Sequence, residues 1–277
     1  MSLFSTAALQ NIDYIAGIGM LAILLTGAIC DGICQEVPDS VTFSFAFIGI
    51  LTALVHGRYV GAAIALLIVL SIFFGYQPKF VKRISDHFLK RAYKDMEVLE
   101  AENATINEAS DSFFEKHGTK VSVVALILYA VTVFAMCIAC LSDGLPIAKC
   151  VIAVGSFLAV SVGLIAMLFF TKQADDAEHE EISAFGGADS VFVVGILAYF
   201  GIVDGMYAIT AMFLGIIVLY VIRTIAYKIL KKESKLKGFP LLPYLTASSV
   251  LGVWAVQTFA GGVSSLFAEV MPFMRLI

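Results

Sequence analysis

The sequence predicts an all-α membrane protein, a polytopic bundle of about eight transmembrane helices, from three observations. Of its 277 residues, 60% are hydrophobic and only 14% are charged, and the mean hydropathy is +0.93. A soluble domain is about 45–50% apolar and about 25% charged. Several apolar runs approach the roughly 20 residues that a membrane-spanning helix requires. These runs are continuous and do not alternate, which favours helices over a β-barrel.

Eight apolar spans follow one another along the chain. The sixth and seventh are separated at "GIVDGMY", residues 201–207, where Asp204 and the glycine after it give a turn signal. Without that turn, residues 191–222 would form one unusually long helix. The predicted spans are residues 13–30, 40–55, 59–76, 120–141, 149–170, 190–203, 206–222 and 241–260.

The charges of the loops orient these spans, because cytoplasmic loops of membrane proteins are rich in Lys and Arg. Fifteen of the 18 basic residues lie in segments 77–120 and 223–240 or at Lys172. Eight spans with both termini outside place all fifteen in the cytoplasm. Merging the sixth and seventh spans would move the 223–240 cluster to the outside, so the eight-span arrangement is favoured.

Segment 77–118 is predicted to be a cytoplasmic loop and helix. "KRISDHFLKRAYKDMEVLEAE" carries apolar residues among its charges at roughly helical spacing, so we expect an amphipathic helix that extends from the third span. "ENATINEASDSF", residues 102–113, is predicted to be a polar turn. The chain is otherwise one membrane domain, residues 1–277.

Several chemistries are excluded by their missing patterns. The sequence has no basic, aromatic-interleaved segment of the kind that binds nucleic acid. It also has no glycine-rich phosphate loop of the kind that binds ATP. "EHEEIS" lacks the second His of a zinc protease motif, and no Gly-x-Ser-x-Gly occurs. The five cysteines lie mostly in or beside apolar runs and are interpreted as small buried hydrophobes. We therefore expect no metal and no cofactor.

Two aspartates are placed by this topology at the same membrane face. Asp31 ends the first span and Asp189 begins the sixth, both within a turn of the hydrocarbon, where an ionisable group is costly and marks a functional candidate. Two carboxylates that meet there would share a proton, which supplies a general base and a general acid at one pH. The structural alternative for Asp189 is a helix N-cap. Asp31 ends a helix, where the helix dipole disfavours an anion, so capping explains it poorly.

Three segments of the sequence carry a resemblance to one known family. "CDGICQEVPDS", residues 30–40, is similar to the first aspartate box of the family of type IV prepilin peptidases and archaeal preflagellin peptidases. "GGADSVFVVGILAYFG", residues 186–201, resembles its Gly-x-Gly-Asp box, with Ala188 in place of the second glycine. "KGFPLLPYLTASSVLG", residues 237–252, resembles the late segment in which paired prolines open the last helix. Cys30 before Asp31 differs from the Tyr-Asp pair of presenilins, which favours the prepilin branch.

This resemblance implies a membrane aspartyl endopeptidase with Asp31 and Asp189 as its catalytic residues. The implied substrates are preflagellin or type IV prepilin-like precursors, whose short basic leader is cut at the cytoplasmic face. Bacterial members of this family that also methylate the new N-terminus carry two Cys-x-x-Cys pairs in a cytoplasmic loop. The loop 77–118 has no cysteine, so the resemblance implies a peptidase without N-methyltransferase activity. The family core has about six helices, and residues 119–170 are interpreted as an extra helical hairpin.

Further residues are expected to contact the substrate. The two glycines before the second aspartate would let the substrate backbone approach closely, and an acidic stretch before them would attract the basic leader or is simply a solvated loop. Asp39, which follows Pro38, is expected to cap the second span or to support Asp31. The predicted substrate-binding residues are Gly186, Gly187, Ala188, Pro38 and Asp39, with Asp175, Asp176, Glu178, Glu180 and Glu181 as weaker candidates.

Two other functions stay open at the level of sequence. The first is a proton- or cation-coupled transporter that uses Asp31 and Asp189, although such sites usually lie near the membrane midplane. The second is a non-catalytic membrane scaffold, in which both aspartates merely end helices. The scaffold predicts that Asp→Asn at both positions is harmless.

Overall fold

The computed structural model describes residues 5–34, 37–73, 96–142, 155, 187–230 and 241–256. Within these residues the chain forms seven helices and no strand, which confirms the all-helical class. In chain order they are α1 (Thr6–Cys34), α2 (Asp39–Val55), α3 (Tyr59–Phe73), α4 (Met96–Ser142), α5 (Gly187–Phe200), α6 (Ile202–Leu230) and α7 (Leu241–Ala255).

Three of these helices are long and apolar enough to cross a membrane, over Thr6–Ile33 of α1, Glu115–Ser142 of α4 and Ile202–Ala226 of α6. The other four are shorter apolar helices of 14 to 17 residues. At 1.5 Å per residue they reach about 21–26 Å, less than the roughly 30 Å of a hydrocarbon core. The described residues therefore do not support the predicted count of about eight spans. The predicted span 149–170 lies almost wholly outside them.

The exposed surface of α1 is consistent with a membrane protein. Its exposed large apolar side chains recur every three or four residues and so form one stripe along the helix. From Tyr14 to Ile33 the stripe is about 28 Å long, close to the thickness of the hydrocarbon. The side chains of this stripe are Tyr14, Ile18, Leu21, Leu25, Ile29 and Ile33.

Helix α2 lies at the centre of the bundle and packs against α1, α3, α4 and α5. Every residue from Ser40 to Ala53 is buried, as expected of a helix that is apolar all round. Its closest neighbour is α5, which it crosses where Gly49 meets the backbone of Gly195. Small residues at a crossing let two helix backbones approach closely, as is common in membrane bundles.

Two glycines with positive φ reverse the chain. Gly57 (φ 75°) lies between α2 and α3, and Gly201 (φ 88°) lies between α5 and α6. The predicted break between the sixth and seventh spans is thus present, but Asp204 is not a turn residue. Asp204 lies in the first turn of α6, because the glycine at 201 already supplies the left-handed conformation that the reversal needs.

Helix α4 is continuous from Met96 to Ser142, so the predicted polar turn at residues 102–113 is wrong. The segment contains no proline and no glycine, and its Glu, Ala, Asn and Ser residues do not interrupt a helix that an apolar stretch anchors at its far end. Within the segment 77–118, helix is present from residue 96 onward, and it continues into the fourth predicted span. Residues 77–95 lie outside the described residues, so the predicted amphipathic extension from the third span stays a prediction.

Helix α1 defines two ends of the bundle, named here after two of its aspartates. Asp13 and Asp31 are 18 residues apart in α1, which corresponds to about 27 Å along the axis. A side chain just after α2 and a side chain near the end of α5 contact Asp13. A residue at the start of α7 contacts Asp31. Helices α2, α5 and α7 therefore begin at the Asp31 end, whereas α3 and α6 begin at the Asp13 end.

Candidate functional site

Asp31 lies three residues before the end of α1 and is buried, with 6% of its surface exposed. Its Oδ2 accepts a hydrogen bond of 2.7 Å from the backbone N–H of Leu242, the second residue of α7. The expectation that capping explains Asp31 poorly is thus wrong. Asp31 does not cap its own helix, but it caps the N-terminus of another one, where unpaired N–H groups and the helix dipole favour an anion.

Glycine residues of α1 let α7 come this close. A Cβ on Gly27 would lie 2.7 Å from Leu242 Cδ2 and 3.1 Å from Val41 Cγ1. At Gly32 there is more space, since a Cβ there would lie 3.7 Å from Pro243 Cγ. The glycine one turn before Asp31 is therefore where α1, α2 and α7 converge, and this convergence buries the carboxylate.

Asp189 is the third residue of α5, and the backbone of that helix is described from Gly187 onward. Because α5 ends beside Asp13, its first turn lies at the Asp31 end of the bundle. For Gly187, Ala188 and Asp189 the structure describes the backbone alone. The backbones of the two predicted catalytic residues thus occupy one end, and the pairing of their carboxylates stays a prediction.

The other predicted site residues fall at the same end or outside the described part. Pro38 is the N-cap residue of α2 and makes no side-chain cap bond, so the expectation that Asp39 caps this helix is wrong. Asp39 is the first helical residue, and its carbonyl accepts a bond from Thr42 Oγ1. Proline is well suited to a helix start, since it has no N–H to leave unpaired. Gly186 and the acidic candidates Asp175, Asp176, Glu178, Glu180 and Glu181 lie outside the described residues.

A second polar cluster, at the Asp13 end, was missed by the sequence analysis. His56 Nε2 lies 2.7 Å from Asp13 Oδ1. Tyr199 donates its hydroxyl to the Asp13 carbonyl at 2.7 Å, and Arg58 Nη2 donates to the Tyr199 carbonyl at 2.7 Å. With Asp204 of α6 nearby, these five residues form what we call the Asp13 cluster, which joins α1, the α2–α3 turn and the α5–α6 turn. The signal in the sequence was a lone arginine in "HGRY" between two apolar spans.

Arg58 is the centre of this cluster. Burial lowers the pKa of its guanidinium, while the negative charges of Asp13 and Asp204 act in the opposite direction. The guanidinium lies at the C-terminus of α5, where helix carbonyls favour a cation. A Cβ on Gly201 would lie 2.6 Å from Arg58 Nη1. Arg58 therefore caps the C-terminus of α5 and Asp31 caps the N-terminus of α7. In both cases the charged side chain comes from a different element.

Two buried atoms of the Asp13 cluster, Arg58 Nε and Asp204 Oδ1, have no hydrogen-bond partner within the described part of the chain. The bonds that the cluster does make go to backbone carbonyls or to the Asp13 carboxylate. These bonds join the end of α5 and the turn between α2 and α3 to α1.

No group of three or more His, Cys, Asp or Glu residues that could hold a metal ion occurs in the described ranges. The comparisons with known proteins add no relative. Neither family models, nor curated protein sequences, nor solved structures gave a match to this chain.

Proposed function

We propose that the chain is a membrane aspartyl endopeptidase that removes the short basic leader of preflagellin or type IV prepilin-like precursors, without N-methylation. The burial of the Asp31 carboxylate, at the end of the bundle where α5 begins, is the observation that carries this proposal. An ionisable group is rarely buried in an apolar bundle unless it has a function. The resemblance of residues 30–40 and 186–201 to the aspartate boxes supplies the choice of chemistry.

In the proposed mechanism Asp31 and Asp189 share a proton, and the ionised carboxylate takes a proton from a water molecule as the water oxygen adds to the scissile carbonyl carbon. The protonated carboxyl of the pair then donates its proton to the leaving nitrogen as the C–N bond of the tetrahedral intermediate breaks. The N-terminus of α7 lies beside Asp31 and favours a negative charge on its carboxylate. This contact supports Asp31 as the base that activates water and Asp189 as the acid.

The proposed orientation puts the Asp31 end in the cytoplasm and both termini outside. Helix α3 ends at the Asp31 end, and the basic segment 79–94 follows it. Helices α6 and α7 meet at the same end, and the basic segment 223–240 joins them. Because Lys and Arg accumulate on the cytoplasmic side, both segments support this orientation, which brings the basic leader of a precursor to the proposed site.

A cleavage assay tests the proposal. Detergent-solubilised wild type, Asp31→Asn and Asp189→Asn are mixed with a prepilin-type precursor, and the mass shift is followed on a gel. Asp204→Asn is a matched control, because it makes the same carboxyl-to-amide change at the opposite end of the bundle. We expect cleavage by wild type and Asp204→Asn and none by the other two.

Two outcomes would count against the proposal. Cleavage that survives Asp31→Asn or Asp189→Asn in a folded protein would end the dyad hypothesis. If the wild-type protein cleaves none of several precursors, a proton- or cation-coupled transporter becomes the favoured function. The same two variants would then be tested by ion flux in vesicles.

A further inference from the structure

Helix α7 holds a backbone donor against the carboxylate on which the proposed function depends. The Leu242 N–H lies 2.7 Å from Asp31 Oδ2, and both residues are buried. The next residue is Pro243, which has no N–H. Of the first-turn N–H groups that a helix leaves unpaired, the one at Leu242 is thus directed at Asp31.

The rest of α7 keeps this donor in a fixed place. A Cβ on Gly215 of α6 would lie 2.7 Å from Ser248 Cβ, and a Cβ on Gly252 would lie 2.7 Å from Met212 Cγ. A side chain at either position would come too close to the facing helix, so the two glycines let α6 and α7 approach closely. Helix α7 is therefore packed tightly on α6, while its N-terminus meets α1 at Gly27 and Asp31.

We propose that α7, through the backbone N–H of Leu242, is a positioning element that holds the Asp31 carboxylate in the orientation required for peptide cleavage. The inference rests on the proposed function and deepens it. Leu242 would not touch the substrate but would act through Asp31. A carboxylate with one oxygen held by a fixed donor presents its other oxygen in a defined direction, and misplacement of a reacting group by about 1 Å can cost on the order of 100-fold in rate.

A pair of substitutions at one position separates the donor from the side chain. Leu242→Pro removes the N–H, and proline is accepted in the first turn of a helix. Leu242→Ala removes the same buried side chain but keeps the N–H, so it is the matched control. We expect kcat of Leu242→Pro to be about 10- to 100-fold below that of Leu242→Ala, with KM within about twofold, because an interaction needed only in the transition state affects kcat.

A second pair gives the answer if Leu242→Pro does not fold. Gly27→Ala would press a methyl group against Leu242 and Val41, whereas Gly32→Ala adds the same group to the same helix, where its nearest contact among the described residues would be at 3.7 Å. We expect kcat of Gly27→Ala to be about tenfold below that of Gly32→Ala, at similar KM. Folding of every variant is checked by circular dichroism and size-exclusion chromatography.

The results distinguish this inference from the proposed function. If wild type cleaves and Asp31→Asn does not, but both pairs show equal kcat within each pair, the inference is overturned and the proposed function stands. A rise of KM at unchanged kcat in Leu242→Pro or Gly27→Ala also overturns it. If wild type cleaves no precursor, the proposed function fails and the inference falls with it.

Discussion

Gly49 and Gly195 lie at the crossing of α2 and α5, and replacing Gly49 with alanine tests how closely these two helices pack. A Cβ on Gly49 would overlap the carbonyl of Gly195. From the other side, a Cβ on Gly195 would lie 2.8 Å from Phe45 Cδ1 and 3.0 Å from Ala46 Cα. The obstacle to Gly49→Ala is backbone, which cannot turn aside as a side chain can, so α5 must move away from α2.

The magnitude follows from two opposing terms. Overpacking a well-packed core costs about 1–3 kcal/mol, whereas alanine in place of glycine gains up to about 1 kcal/mol of helix propensity. Gly32→Ala gains the same propensity, and its nearest contact within the part of the chain that the structure describes would be at 3.7 Å, an ordinary van der Waals distance. The difference in the free energy of unfolding between the two variants therefore isolates the steric cost, and we expect about 1–3 kcal/mol less stability for Gly49→Ala.

The assay is reversible unfolding in mixed micelles at increasing mole fraction of sodium dodecyl sulfate, followed by circular dichroism at 222 nm. Both variants and wild type are measured at one protein concentration. Equal stability of Gly49→Ala and Gly32→Ala would refute the reasoning, because it would mean that α2 and α5 are not in backbone contact at this crossing.

Three further predictions follow from the polar contacts at the two ends. Asp31→Ala should lower the free energy of unfolding by about 0.5–2 kcal/mol, whereas Asp31→Asn should keep the cap on Leu242 and stay within a few tenths of a kcal/mol of wild type. The same micelle titration measures both variants. An equal loss of stability in the two would argue against the cap. Arg58→Ala should cost about 1–3 kcal/mol, because it leaves the Tyr199 carbonyl without its donor, and Arg58→Lys should recover only part of this loss, since lysine lacks the planar fork. Cleavage should continue in 5 mM EDTA, because two carboxylates and a water supply the proposed chemistry; loss of activity that added zinc restores would contradict it.

The helical class could be predicted from sequence, whereas the number of spans could not. Continuous apolar runs identify helices because their backbone polar groups must be paired within the segment. The same runs do not show whether a helix crosses a bilayer or is buried within the protein. Helix α2 illustrates this, because it has 17 residues and is enclosed by other helices, and such a helix is as apolar in sequence as a membrane span.

The candidate site shows the same division. Asp31 stands out in the sequence as a charge at the end of an apolar run, and its burial agrees with that reading. Its partner did not stand out, since the Leu242 N–H is a backbone group 211 residues away in the chain. The Asp13 cluster was missed for a related reason: its bonds to the Asp13 and Tyr199 carbonyls use backbone acceptors, which every residue carries and no pattern marks.

The sequence by itself determined that this protein is an apolar chain whose described secondary structure is all helical, that its charges lie mostly between the apolar runs, and that Asp31 is unusually placed. These properties depend on composition and on neighbours within a few turns, which a linear pattern records. Only the tertiary structure decided that Asp31 caps α7, that Arg58 ends α5, and that Gly201 reverses the chain. The reason is that the unpaired backbone groups at a helix end are bonded by whatever group the packing brings to them. That packing is set by close approaches, such as those at Gly27 and Gly195, between residues far apart in the sequence.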